Sequence, residues 1–138
     1  MRRWLWLPLL LLVLFAGTAE ARSRKDKAMD QILLDYGATL RWGGFEQAIS
    51  FIDPEVRAAR PIPTIDMNRY RQVRVSYYRQ QSPVEVSKTE IQVLAEIGII
   101  NEHSQAERVV YDRQTWRWDE KAKRWWLVSG LPSITAKN

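Results

Sequence analysis

A carboxylate and a hydroxyl donor that converge in an apolar pocket can run acid–base chemistry. The sequence holds the raw material. Asp35, Asp53, Asp66 and Asp112 are acids set in otherwise apolar segments, and Tyr36, Tyr70, Tyr77 and Tyr111 are the nearby phenols. Tyr36, Asp53, Tyr77 and Asp112 are the pocket candidates. Each acid also has a plainer reading, which we prefer. Asp53 precedes Pro54 and reads as a helix-stop or turn carboxylate. Asp112 lies in a β-like run rich in arginine and reads as a cross-strand partner of one. No residue is assigned as catalytic. His103 is the only histidine and falls in a polar turn beside Glu102, and there is no cysteine, so no metal site is expected. No Ser-His-Asp arrangement, phosphate-binding loop or glycine-rich dinucleotide turn is present, and no cofactor is expected.

The second set of conspicuous residues is aromatic. Four of the seven tryptophans, Trp116, Trp118, Trp125 and Trp126, fall between Thr115 and Pro132, in two β-favouring runs around the polar stretch Asp119 to Lys123. The pattern predicts a hairpin with a loop of about five residues. Trp125 and Trp126 are adjacent, so on a strand they face opposite sides. One of them belongs on the outer face, where it needs a partner surface or a covering arginine stem. These four tryptophans are the interface candidates. Arginines interleave with aromatics in Tyr70 to Arg74 and Arg113 to Arg124, a composition that could stack bases and hold phosphates. Acids including Glu90, Glu96, Glu107 and Glu120 share the same segments, so cross-strand ion pairing is preferred and nucleic acid is not a favoured partner.

The chain has 138 residues, 21 basic and 16 acidic, with a net charge of +5. That length holds one domain. Residues 1–21 have the layout of a secretory signal. Arg2 and Arg3 form the charged start, Trp4 to Phe15 is the apolar run, and Ala19-Glu20-Ala21 is a small-residue exit. Cleavage after Ala21 and delivery to a bacterial periplasm are expected; an uncleaved membrane anchor is the alternative. The mature chain then carries 19 basic and 15 acidic side chains. It has no disulfide to staple it and must rely on its core.

The elements follow from periodicity. Residues 22–27 read as a short, basic, disordered leader. Met29, Ile32, Leu33, Tyr36 and Leu40 recur at helical spacing, with Asp26 as N-cap and Gly43-Gly44 as the stop. A second helix is expected from Phe45 to about Ile52, ended by Asp53-Pro54, with one further turn over Glu55 to Ala59. Arg60 to Asn68, with Pro61 and Pro63, reads as an irregular crossing. Strands follow at Tyr70 to Gln80, Lys88 to Glu102, Ala106 to Trp118 and Arg124 to Gly130. Val73, Val75 and Tyr77 share one face of the first. Ile91, Val93, Ala95, Ile97 and Ile99 share one face of the second. The third slips in parity, which predicts a bulge near Asp112 to Thr115 or burial on both faces. Residues 133–138 read as a tail.

Helices first and an antiparallel meander afterwards define an α+β fold: N-terminal helices packed on a curved four-stranded sheet over residues 28–132. The carrying segments are Leu33 to Trp42, Phe45 to Phe51 with Asp53-Pro54, and the hairpin from Trp116-Arg117-Trp118 to Arg124-Trp125-Trp126-Leu127. In these the chain resembles the cone-shaped superfamily of nuclear transport factor, ketosteroid isomerase and SnoaL-like proteins. The resemblance is architectural. It implies a pocket between helices and sheet and often a dimer through the sheet's outer face. The isomerases of that superfamily use a buried carboxylate base with oxyanion donors, but no residue here matches those positions one by one. The expected role is therefore a non-enzymatic association or binding module, self-associating through the outer sheet face or serving an envelope protein partner. The alternatives are a small-molecule-binding or isomerase-like pocket protein, and an anchored component of a secretion or envelope complex.

Overall fold

The computed structural model describes residues 7–135, with side chains from Arg24 onward. The segment read as a secretory signal lies outside the described side chains, and in part outside the described backbone. Among the described residues, no helix is long and apolar enough to cross a membrane.

Helix α1 spans Leu7–Trp42. It begins well before Asp26, so that residue is interior and not an N-cap. Residues 22–27, expected to be a disordered leader, continue the helix instead. No glycine or proline interrupts the sequence between Thr18 and Tyr36, so nothing stops the helix there. Packing also holds this part. The Lys25 ammonium lies 5.3 Å and 5.9 Å from the ring centres of Trp125 and Trp118, and the Lys25 carbonyl accepts the Trp125 indole N–H at 3.1 Å. Leu33, Tyr36 and Leu40 form the buried stripe. The helix ends as expected: Gly43 and Gly44 donate backbone N–H bonds to the Thr39 carbonyl, and Gly44 takes φ +85°, a conformation open to glycine.

Helix α2 (Phe45–Ala48) tightens into a 3-10 turn at Ile49–Phe51. Helix α3 (Pro54–Ala59) has Pro54 at its first position and Asp53 as N-cap, the carboxylate accepting the Glu55 N–H at 2.8 Å. The expected irregular crossing after Arg60 holds a further helix, α4 (Thr64–Arg71). Pro63 stands just before its first turn, where proline's missing N–H and fixed φ are tolerated. As a result Tyr70 is helical and stacks on Phe45 at 4.7 Å between ring centres, its hydroxyl donating to the Pro132 carbonyl at 2.7 Å.

The sheet comprises β1 (Val73–Gln80), β2 (Val84–Ser87), β3 (Glu90–Asn101), β4 (Glu107–Asp119) and β5 (Arg124–Leu127). Its order is β1-β3-β4-β5, all antiparallel, with β2 continuing along β3 after β1 breaks at Gln81 to Pro83. The strands curl into a half-barrel whose concave face takes α1 and α2, an α+β architecture. Ile91, Val93, Ala95, Ile97 and Ile99 all face the core, as their alternation predicted.

Two expectations about strand faces are corrected. Strand β4 has no bulge; its register with β3 runs unbroken from Glu107 to Arg117. One parity, Val110, Asp112, Gln114 and Trp116, is buried throughout. What resembled a slip is two polar side chains at core positions. The irregularity lies in β1, between Val75 and Tyr77. It transfers the inward position from Tyr77 to Tyr78, which packs against the core. The tail is also partly ordered: Ile134 is buried and its carbonyl accepts from the Arg108 guanidinium.

Candidate functional site

The inward polar residues of β4 meet α1 inside the half-barrel. Gln114, fully buried, is the hub. Its amide N–H groups donate to the Tyr78 hydroxyl at 2.8 Å and to the Asp112 carboxylate at 3.1 Å, and its amide oxygen accepts the Trp116 indole N–H at 3.0 Å. Tyr36 comes down from α1 into an aromatic cage, edge-on to Trp116 at 5.2 Å, Phe51 at 5.4 Å and Tyr78 at 6.3 Å between ring centres. Its ring is fully buried, and its hydroxyl has no hydrogen-bond partner among the described residues.

The electrostatics follow from burial. Loss of water pushes the Asp112 carboxyl up to about 6, against the opposing pull of the Gln114 hydrogen bond. Tyr36 rises well above the ordinary phenol value, first through burial and then through the Asp112 charge. Burial also lifts Tyr70 and Tyr78 to about 12. The cluster therefore pairs an acid titrating near neutrality with phenols that keep their protons. Chemically, that is a proton acceptor beside hydrogen-bond donors in an aromatic enclosure.

Of the four pocket candidates, the structure brings Tyr36 and Asp112 together and leaves two outside. The Asp53 carboxylate is occupied in structural bonds, accepting the Glu55 N–H and the Arg117 guanidinium at 2.7 Å. Tyr77 lies across Gly98 on the opposite face, with the Arg79 guanidinium 5.4 Å from its ring centre. Asp112 is not an arginine's cross-strand partner; it stands opposite Ala95 and points inward. Tyr78 and Gln114 are members that sequence reasoning missed. Gln114 was detectable, because Val110 and Trp116 share its parity on β4.

The four interface candidates are accounted for within the chain. Trp116 and Trp125 are buried, so neither is available to a partner on the outer face. Trp118 is half-buried against Trp125, 5.5 Å between ring centres, with Lys25 above both. Trp126 is the outward member of the adjacent pair. The Arg124 guanidinium covers it at 3.5 Å from the ring centre, and its indole N–H reaches the Asp119 carboxylate at 3.2 Å. Elsewhere the outer face mixes polar and apolar side chains: Arg79 and Tyr111 both reach Glu96, and Val84 is exposed. His103 stands exposed in the β3–β4 turn, and the described residues hold no cluster of metal-ligating side chains.

A groove of about 660 Å³ runs outside the cluster, between α1 and β1. Leu33, Leu34, Gly37, Ala38 and Trp42 line its helical wall together with Asp30 and Arg41, and Tyr77, Tyr78 and Gln80 line its strand wall, so the pocket candidate Tyr77 borders this groove although it lies outside the buried cluster. Leu34 is 67% exposed and Trp42 80% exposed. Gly37 has a direct steric purpose here: a Cβ at that position would lie 2.7–2.8 Å from the Tyr78 ring, so only glycine lets the strand approach the helix so closely. Tyr78 thus belongs to both places, its ring facing the groove and its hydroxyl bound to Gln114.

The two sheet edges differ. The β5 edge is closed by a parallel bridge between Ile52 and Leu127 and by the Asp53 N–H bonded to the Leu127 carbonyl. At β1 no further strand pairs among the described residues, and the Val75 carbonyl is taken by Arg41 at 3.0 Å. The comparisons add no relative, since no family model, no curated protein and no solved structure matches this chain.

Proposed function

We propose that this chain is a non-enzymatic binding module that adds an extended apolar segment of a partner protein to the free edge of β1, in the groove against α1. One observation carries the reading: exposed Leu34 and Trp42 line a mainly apolar trough beside β1, whose outer edge takes no further strand among the described residues. Strand addition supplies main-chain hydrogen bonds, and alternate side chains of the added strand enter the trough. The outer sheet face, the surface first expected to associate, is less suited. Trp126 is half-buried, with Arg124 on its ring and its indole N–H on Asp119, whereas Trp42 stays 80% exposed with Arg41 4.3 Å from its ring centre. The half-barrel is compatible with the cone-shaped superfamily, which supports this reading.

The test is a photo-crosslinking side chain placed at Leu34 and, separately, at Arg113 on the outer face, in cells that make the protein. A discrete adduct from position 34 alone is the expected result. Adducts from position 113 alone, or none from either, would remove the reading. The same cells test export: residues 1–21 support delivery to the periplasm, and N-terminal sequencing of the exported chain is expected to start at Arg22.

A second reading rests on a different observation, the Asp112 carboxyl near 6 beside the unpartnered Tyr36 hydroxyl. In this reading the interior is an isomerase-like pocket for a small molecule, reached by displacement of the Tyr78 ring. Proton exchange from an enolisable ketone that Asp112→Asn abolishes would favour it over strand addition.

A further inference from the structure

A second cavity, of about 380 Å³, lies on the other side of the molecule, between α3, the Pro61 to Met67 segment and the turn after β5. Its walls are Ile52, Val56, Ile62, Met67 and Leu131, an apolar lining of aliphatic side chains. Two of its lining residues are cationic, Arg57 and Arg60, and none is acidic. The nearest carboxylate in sequence, Glu55 in the first turn of α3, does not line the cavity, and Asp53 is bonded to Arg117 and to the start of α3. Arg60 donates one N–H to the Val128 carbonyl at 3.1 Å, which ties its guanidinium to the turn that forms the opposite wall. Arg57 has no ion-pair partner among the described residues.

We infer that this cavity is a binding site for a soluble amphipathic carboxylate, an acyl chain lying against the aliphatic walls with its carboxylate between Arg57 and Arg60. The lining combines aliphatic side chains with two cations three residues apart at the end of α3, the two chemistries such a ligand has. Guanidinium groups match the planar carboxylate geometry bidentately, which an ammonium does not. The volume falls in the range of small-molecule pockets. This site shares no lining residue with the α1–β1 groove, so it stands or falls independently of strand addition there.

The experiment titrates the full chain with octanoate and with 1-octanol, following backbone amide and methyl resonances. Octanoate is expected to move Ile62, Gly130 and Leu131 saturably and to bind at least tenfold more tightly than octanol. Arg57→Gln with Arg60→Gln together should bring octanoate down to the octanol value. Arg57→Gln alone leaves the Val128 contact intact and should give an intermediate loss, which keeps the test valid if the double variant fails to fold. Equal affinity for the two ligands, shifts confined to Leu34 and Trp42, or unchanged octanoate binding in Arg57→Gln would overturn the inference. So would sedimentation of the chain with phosphatidylglycerol vesicles in an Arg57-dependent manner without any octanoate binding, since that would make the arginines a membrane contact.

Discussion

Replacing Asp112 by asparagine should remove one component from the pH dependence of stability. The carboxyl sits at about 6 in the folded chain against an ordinary value of 3.8, because burial penalises its charged form. The folded state therefore holds the proton more tightly than the unfolded state. Between pH 4 and pH 6 the unfolded chain ionises first, so stability from this group falls as pH rises, and it levels off above 6. A gap of about two pH units corresponds to about 3 kcal/mol. Asparagine keeps the shape and an oxygen to accept from Gln114, and it carries no charge to bury. Urea unfolding followed by tryptophan fluorescence at pH 4, 5, 6, 7 and 8 measures both proteins. Taking the variant minus wild type cancels the surface acids that titrate in the same range. That difference should increase by about 2 kcal/mol in the variant's favour from pH 4 to pH 7, because part of the full change has already occurred by pH 4. A difference that stays constant, or moves against the variant, would refute the assignment of Asp112 as a buried acid with a raised pKa.

Other outcomes are equally specific. Gly37→Ala should lower the unfolding temperature although alanine is the better helix former: the propensity gain of about 1 kcal/mol is outweighed by overlap with the Tyr78 ring, which costs about 1–3 kcal/mol. Trp125→Ala should cost about 3–5 kcal/mol in denaturant unfolding, as a large core deletion does. Trp126→Ala should cost about 1 kcal/mol, the scale of its stacking on Arg124, and light scattering should show no change in its mass. Arg117→Gln should destabilise measurably by thermal unfolding, because it leaves the nearly buried Asp53 carboxylate without its guanidinium.

The parts of the fold that were legible in the sequence are those where polarity and periodicity agree. Strand β3 alternates without a break, and its inward face was read residue for residue. The Asp119 turn was marked by its own chemistry: the carboxylate accepts the Lys121 and Ala122 N–H groups and its pKa is lowered as a result, with the Ala122 bond the largest cause. The adjacent tryptophans were rightly separated onto two faces, and the covering arginine was one of the two stated resolutions. Reading failed where a residue type contradicted its position. Asp112 and Gln114 are polar at core sites, so the β4 parity looked broken when it was intact. Tyr77 and Tyr78 are both aromatic, so composition could not register the irregularity that exchanges them. Pro61 and Pro63 break helices in general, yet one of them stands at a helix start. The candidate site was half visible for the same reason: Tyr36 and Asp112 were named, while their link, Gln114, is of a residue type that seldom draws notice.

The Lys25 contact with the C-terminal hairpin bears on how the chain acquires its shape over time. The carbonyl that receives the Trp125 indole belongs to a residue made a hundred positions earlier, and the bridge from Ile52 to Leu127 spans three quarters of that separation. Neither can form while β5 is still unmade. Until then α1 and α2 have an incomplete platform, and the loop-closure entropy of both contacts must be met in one late step. A growing chain is therefore held short of its finished core until Leu127 has emerged. During that interval the aromatic surfaces that the finished core will cover remain open to chaperones.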